Sequence, residues 1–276
     1  MALVDGHAGH QAIAALTGFG TDVMFTLNGG HIWPLYDGAR DAGMRVVDTR
    51  HEQTATFAAE GYAKLTRRPG LAALTAGPGI TNGVSAITSA HFNGSPLVVL
   101  GGRAPQGRWG AGSLQELDHV PILASITKSS STVTDGERAG VDVFEAARLA
   151  MEPHRGPVFR DFPLDVFGPA SGEVPAPGES TGRGAVPDPD AVARLAELVA
   201  TAERPAFVVG SDVYWDGAWD ELRAAAEHLR VPCFSNGMGR GLLPADHELA
   251  FLRTRGVLKQ RADLVVVLGT PLDFRL

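Results

Sequence analysis

Arg50-His51-Glu52-Gln53-Thr54-Ala55-Thr56-Phe57-Ala58-Ala59-Glu60-Gly61-Tyr62-Ala63-Lys64 follows directly on the run Arg45-Val46-Val47-Asp48-Thr49. The shorter run reads as a strand. The longer stretch reads as a helix opened by a carboxylate, Glu52, and filled with small residues. A second such unit comes next: Leu71-Ala72-Ala73-Leu74-Thr75-Ala76 leads into the loop Gly77-Pro78-Gly79-Ile80-Thr81-Asn82-Gly83, and a helix extends to about His91. Upstream, residues 23–27 read as a buried strand, and Asn28-Gly29-Gly30 turns it into a helix beginning near Trp33-Pro34. Residues 96–102 and 157–162 supply two further strands. Runs bounded by Gly and Pro, alternating with helices, predict an α/β fold: a doubly wound parallel sheet covered on both faces.

Residues 168–190 break the pattern. They are rich in Gly, Pro, Ser and Glu without periodicity and read as a linker. The first domain is therefore expected over residues 1–167. Residues 191–276 are expected to form a partial second Rossmann-like α/β domain. Its helices fall at about 189–201 and 219–229, and its strands at 206–210 and 263–269. A doubly wound domain needs roughly 100–150 residues, more than this segment has.

Composition narrows the function classes. The 276 residues are 44% hydrophobic, with 24 Lys+Arg against 31 Asp+Glu and a net charge of −7. No basic stripe marks a nucleic-acid partner. The single cysteine, Cys233, excludes an internal disulfide and fits a reducing compartment. Residues 1–7 lack the basic head and apolar run of a signal peptide, and no apolar stretch approaches membrane-spanning length. The expectation is a cytoplasmic protein with neither nucleic-acid nor membrane partners. His31, His51, His91 and His119 lack the spacing of metal ligands, so no metal site is assigned to them. No Gly-x-Gly-x-x-Gly turn follows an early strand, which argues against a plain nucleotide-binding Rossmann protein.

Over its first 170 or so residues the chain resembles the pyrimidine domain of the acetolactate synthase family of thiamine diphosphate enzymes. The resemblance is carried by Gly29-Gly30-His31, His51-Glu52, Glu60-Gly61-Tyr62-Ala63, and Gly77-Pro78-Gly79 with Asn82. It continues through Pro96-Leu97-Val98-Val99, Leu114-Gln115-Glu116, Arg155-Gly156-Pro157-Val158 and Asp161-Phe162-Pro163. No one of these is specific alone; their order and spacing are. After the linker, residues 234–241 and 262–269 resemble the start of the family's central domain.

The resemblance implies thiamine diphosphate as cofactor and Glu52 as the glutamate that hydrogen-bonds the pyrimidine ring nitrogen. That bond favours the imino form of the exocyclic nitrogen, which removes the proton from C2 of the thiazolium. Such a carboxyl needs a dry setting in which a proton can be shared. The bland alternative is a helix N-terminal acid stabilised by the macrodipole. Gly29, Gly30, Pro78, Gly79 and Asn82 match positions around the pyrimidine, where glycine lets main chain approach a flat ring. Gln115 matches a glutamine that lines the substrate channel and hydrogen-bonds a 2-keto acid.

Arg155 matches an arginine associated with flavin (FAD) in this family. Gly210-Ser211-Asp212 falls at a flavin-contacting turn, although Asp212 puts an acid where a pyrophosphate would lie. Asn28, Asn93 and Leu114 depart from the family's usual proline, aspartate and phenylalanine, and are expected near the substrate side. The family holds magnesium and the diphosphate with a Gly-Asp-Gly segment and a later asparagine. No Gly-Asp-Gly occurs in this sequence. The implied magnesium is then supplied by a domain outside these residues, on a partner chain or in a dimer or higher homo-oligomer. The implied reaction joins pyruvate and a second 2-keto acid. The alternatives are a 2-keto acid decarboxylase, a 2-hydroxyacyl-CoA lyase, or a non-catalytic chain or split-enzyme subunit.

Overall fold

In a computed structural model, which describes residues 1–175, 186–252 and 255–272, the chain divides into two compact units, Met1–Gly182 and Arg183–Leu276. The first contains β1 (Ala2–Val4), α1 (Ala8–Gly18), β2 (Val23–Leu27), α2 (Trp33–Asp41), β3 (Arg45–Asp48), α3 (Glu52–Thr66) and β4 (Gly70–Leu74). It continues with α4 (Pro78–Asn93), β5 (Leu97–Arg103), α5 (Val120–Leu123), β6 (Ser129–Thr132), α6 (Ala139–Met151), β7 (Val158–Pro163) and β8 (Gly172–Val174).

Six strands make one sheet in the order β3-β2-β4-β5-β7-β6, all parallel. The two central strands show why it is covered twice. Leu71 and Ala73 of β4, with Val98 and Leu100 of β5, pack in one cluster with Ala12, Leu16 and Val143 from α1 and α6. Their neighbours Ala72, Leu74, Leu97 and Val99 pack in the other with Ala55, Ala59, Ile80 and Ile87 from α3 and α4. Successive residues of a strand face opposite sides, so a strand apolar at every position must be buried on both.

The element bounds near the quoted stretch match the sequence reading: α3 runs over Glu52–Thr66, and β2 over Val23–Leu27. Elsewhere the structure adds strands. β6 is Ser-Ser-Ser-Thr, a half-buried edge strand without an apolar signature. β8 falls inside residues 168–190, where the sequence predicts no element. It pairs antiparallel with β1 in a separate two-stranded sheet. A three-residue strand whose partner lies at the other end of the domain leaves no local pattern to read.

The second unit contains α7 (Pro189–Thr201), β9 (Pro205–Val209), α8 (Ser211–Trp215), α9 (Trp219–Leu229), β10 (Cys233–Ser235), β11 (Ala250–Phe251), α10 (Arg255–Arg261) and β12 (Leu264–Leu268). Its sheet is parallel, in the order β11-β10-β9-β12. Phe207, Val209, Leu222, Ala226 and Cys233 form its core. Among the described residues no helix is long and apolar enough to cross a membrane.

Candidate active site

A parallel sheet presents the loops that follow its strands at one end, and ligands bind there. In the first unit these are the loops after β2, β3 and β4 and the long loop between β5 and α5. Gly29, Glu52, Gly77 and Gln115 come from these four loops in turn.

Glu52 is the first residue of α3, and His51 caps that helix by accepting the Gln53 N–H on Nδ1 at 3.1 Å. The side chain is 7% exposed. Its Oε2 accepts from Asn82 Nδ2 at 2.9 Å, so an amide from the start of α4 holds one face of the carboxylate. Its Oε1 bonds no described side chain. A Cβ on Gly79 would sit 2.7 Å from Thr75 Cγ2 and 3.5 Å from Glu52 Oε1; one on Gly29 would meet Thr75 Cβ and Oγ1 at 2.4 Å. Both main chains press onto the buried Thr75, which is why these positions hold glycine. A Cβ on Gly30 would meet nothing within 4 Å, and Pro78 is exposed.

Gln115 is brought to the same place. A Cβ on Gly77, which has φ 61° and ψ −116°, would sit 3.0 Å from Gln115 Cβ. Gln115 itself has φ 55°, an uncommon backbone for a residue with a side chain. The loop before it is knitted by Glu116, whose Oε1 and Oε2 accept from the amides of Gly110 and Ser113.

Two buried histidines stand behind these loops. His31 hydrogen-bonds the Leu114 backbone and lies 3.4 Å from Thr75 Oγ1. His119 Nε2 accepts the Gly77 N–H at 2.9 Å. Burial lowers the His31 pKa below its ordinary 6.5; the Leu114 bond opposes this and His119 adds to it. Because the folded value lies below the unfolded one, the unfolded chain takes up the proton first as pH falls. Stability from His31 is complete above about pH 6.5 and is lost as pH drops toward the folded value. Thermal melts at about pH 8 and about pH 5.5 are expected to show a smaller loss of Tm on acidification for His31→Asn than for the parent. Equal losses would refute it.

The structure does not bring every expected residue here. Arg155, expected at a flavin and not at the pyrimidine, is buried and precedes β7, at the opposite end of the sheet from Glu52. Asn93 is also at that end. It closes the 16-residue helix α4, about 24 Å along the axis from Pro78. The substrate-side expectation for Asn93 is therefore corrected: Asn93 Nδ2 donates to Glu60 Oε1 at 2.8 Å. An aspartate there would set a second carboxylate against Glu60. The sequence reading does not single out Thr75, His31 or His119 as site residues. His31 follows the Gly29-Gly30 pair directly, the one local signal for it.

A family model described as "Thiamine pyrophosphate enzyme, N-terminal TPP binding domain" matches residues 7–122. Its counterpart, "Thiamine pyrophosphate enzyme, central domain", matches residues 192–276. The chain is 49% identical over 272 residues to the acetolactate synthase large subunit IlvG of Mycobacterium tuberculosis, covering 98% of this chain and 50% of that protein. It is equally identical to a probable acetolactate synthase of Mycobacterium bovis. It is 37% identical to 2-hydroxyacyl-CoA lyase 2 of Homo sapiens, over 98% of this chain and 48% of the other. The chain spans about half the length of these relatives. With both domain models matched in order and 49% identity to a relative over 98% of its residues, the chain belongs to the thiamine pyrophosphate enzyme family, represented by its N-terminal cofactor-binding domain and central-domain residues.

Proposed function

We propose that this chain is the pyrimidine-side part of an acetolactate synthase-type carboligase, which transfers a two-carbon unit from pyruvate to a second 2-keto acid with loss of carbon dioxide. The observation that carries the reading is the buried Glu52 carboxylate, with one oxygen held by Asn82 and the other beside the Gly79 main chain with no described side chain bonded to it. Thiamine diphosphate, when bound, supplies the nucleophilic carbon and the electron sink for decarboxylation. Glu52, buried and with Oε1 bonded to no described side chain, would hold and return a proton to the cofactor's ring when it is bound. Asn82 fixes the carboxylate so that Oε1, not Oε2, meets the ring. Gly29, Gly30, Pro78 and Gly79 lie around that ring, and the Gln115 amide orients the keto acid.

Magnesium and the diphosphate are assigned to a segment outside these residues, since magnesium favours carboxylate and phosphate oxygens in one place. A homo-oligomer brings such a segment within reach. The exposed Phe57 and Leu65 of α3 and Phe92 of α4 support association through that face. The free, buried Cys233 supports a reducing cytoplasm. No flavin step is assigned: Asp212 lies in the first turn of the short helix α8, an acid where a pyrophosphate would lie.

The test is a fusion of residues 1–276 to the C-terminal half of the M. tuberculosis relative. Acetolactate formation from pyruvate, dependent on thiamine diphosphate and magnesium and without bound flavin colour, is expected. Cofactor binding without turnover of pyruvate would overturn the reading. Cleavage of a 2-hydroxyacyl-CoA by the same protein would favour the lyase reading, which the 37% identity supports.

A further inference from the structure

We propose that His119 is a positioning residue: through one hydrogen bond it sets the Gly77–Gly79 turn, and with it both Asn82 and Gln115. The inference rests on the reading of the Glu52 site as the cofactor site.

The geometry begins with an orphan donor. Gly77 precedes α4, is buried, and has no side-chain cap of its own. A buried N–H without a partner is destabilising, so something must accept from it. His119, fully buried on the loop before α5, does so with Nε2 at 2.9 Å. A ring nitrogen that accepts carries no proton. The ring proton therefore sits on Nδ1, which faces Asp161 Oδ2 at 3.0 Å. Asp161 is fully buried on β7, and its charge is met by Arg103 Nη1, also 3.0 Å from Oδ2. Arg103 lies with its guanidinium 4.1 Å from the Trp109 ring centroid and bridges out to Asp118. The relay runs from a buried ion pair in the sheet to one backbone amide at the mouth of the site.

That amide is well placed to matter. On one side, Gly77 leads into the turn whose Asn82 holds Glu52 Oε2. On the other, it leaves only enough space for Gln115 to approach. Moving Gly77 would shift the partner of the proposed proton-sharing group and the proposed substrate amide together. A histidine that merely filled space would not need both ring nitrogens directed in this way.

Two substitutions separate the two bonds. In His119→Gln the amide oxygen reaches the place of Nε2 and accepts from Gly77. In His119→Asn the amide reaches only the place of Nδ1, serves Asp161, and leaves Gly77 unpaired. The experiment uses the full chain without cofactor, labelled with 15N. Solvent exchange of the Asn82 side-chain amide is expected to quicken by about tenfold in His119→Asn and to stay within about twofold of the parent in His119→Gln. Long-range 15N–1H spectra of the parent should show the His119 proton on Nδ1 alone. A proton on Nε2, or unchanged Asn82 exchange in folded His119→Asn, would overturn the proposal. If neither variant folds, the parent's ring alone decides: Nδ1–H supports it and Nε2–H ends it. None of these readouts needs turnover, so an inactive fusion would overturn the proposed function and leave the His119 geometry standing on its own measurement.

Discussion

Glu52→Gln, made in the fusion that supplies the diphosphate-binding half, is expected to lower thiamine-dependent release of carbon dioxide from pyruvate by about 100- to 10,000-fold, the range of a positioned proton-transfer group. The fold should be unchanged. Glutamine has the shape of glutamate, and its amide oxygen can take over the Asn82 Nδ2 bond now made by Oε2. What it cannot do is give and regain a proton at the position of Oε1. The bland role, an acid at the first turn of α3 interacting with the helix dipole, predicts a different pattern. Losing that charge would cost at most about 1 kcal/mol of stability and leave the rate alone. Circular dichroism, melting temperature and initial rate, measured on one preparation, separate the two. A variant of normal rate would remove Glu52 from the chemistry.

Glu60→Ala is expected to produce the larger effect on stability, and at the other end of the sheet. Glu60 is 3% exposed, and four groups converge on its carboxylate. Ser95 Oγ donates to Oε1 at 3.1 Å, Ser89 Oγ to Oε2 at 3.2 Å, Asn93 Nδ2 to Oε1 at 2.8 Å, and Lys64 Nζ lies 2.6 Å from Oε1. Removing the acceptor takes away the partner of the buried Ser95 hydroxyl and an acceptor shared by the partly buried Ser89, Asn93 and Lys64. Truncating one side of such a network costs about 3 kcal/mol, even allowing for solvent at Lys64. For a unit of this size that is a fall of about 6–12 °C in Tm. A loss under about 2 °C would show that water replaces the carboxylate easily. Glu60→Gln, which keeps an acceptor, should recover part of the loss.

Legibility followed the kind of signal each feature left behind. The start of α3 could be placed because an acid and a run of small residues follow directly on an apolar strand. The two-sided core could be anticipated because β4 and β5 are apolar at every position. β6 could not, because four hydroxyl residues at a sheet edge look like loop. The family motif could be located, since glycine and proline in order carry information along the chain. Thr75 and His119 were not, because their importance arises from what they touch: two glycine backbones from separate loops, and an amide 42 positions away. Asn93 shows the converse. It departs from a motif position, yet a helix that starts at one pole of a parallel sheet ends at the other.

The pairing of β1 with β8 joins the first strand of the first unit to its last described one, Ala2 lying opposite Val174. A domain whose entry and exit are adjacent behaves as a cassette. It can be cut out, inserted into a host loop, or given new termini by bridging the old ones, without the sheet that carries Glu52 having to reorganise. The sensitive positions are then the outermost residues, where a bulky tag placed against Ala2 would pry open the clasp.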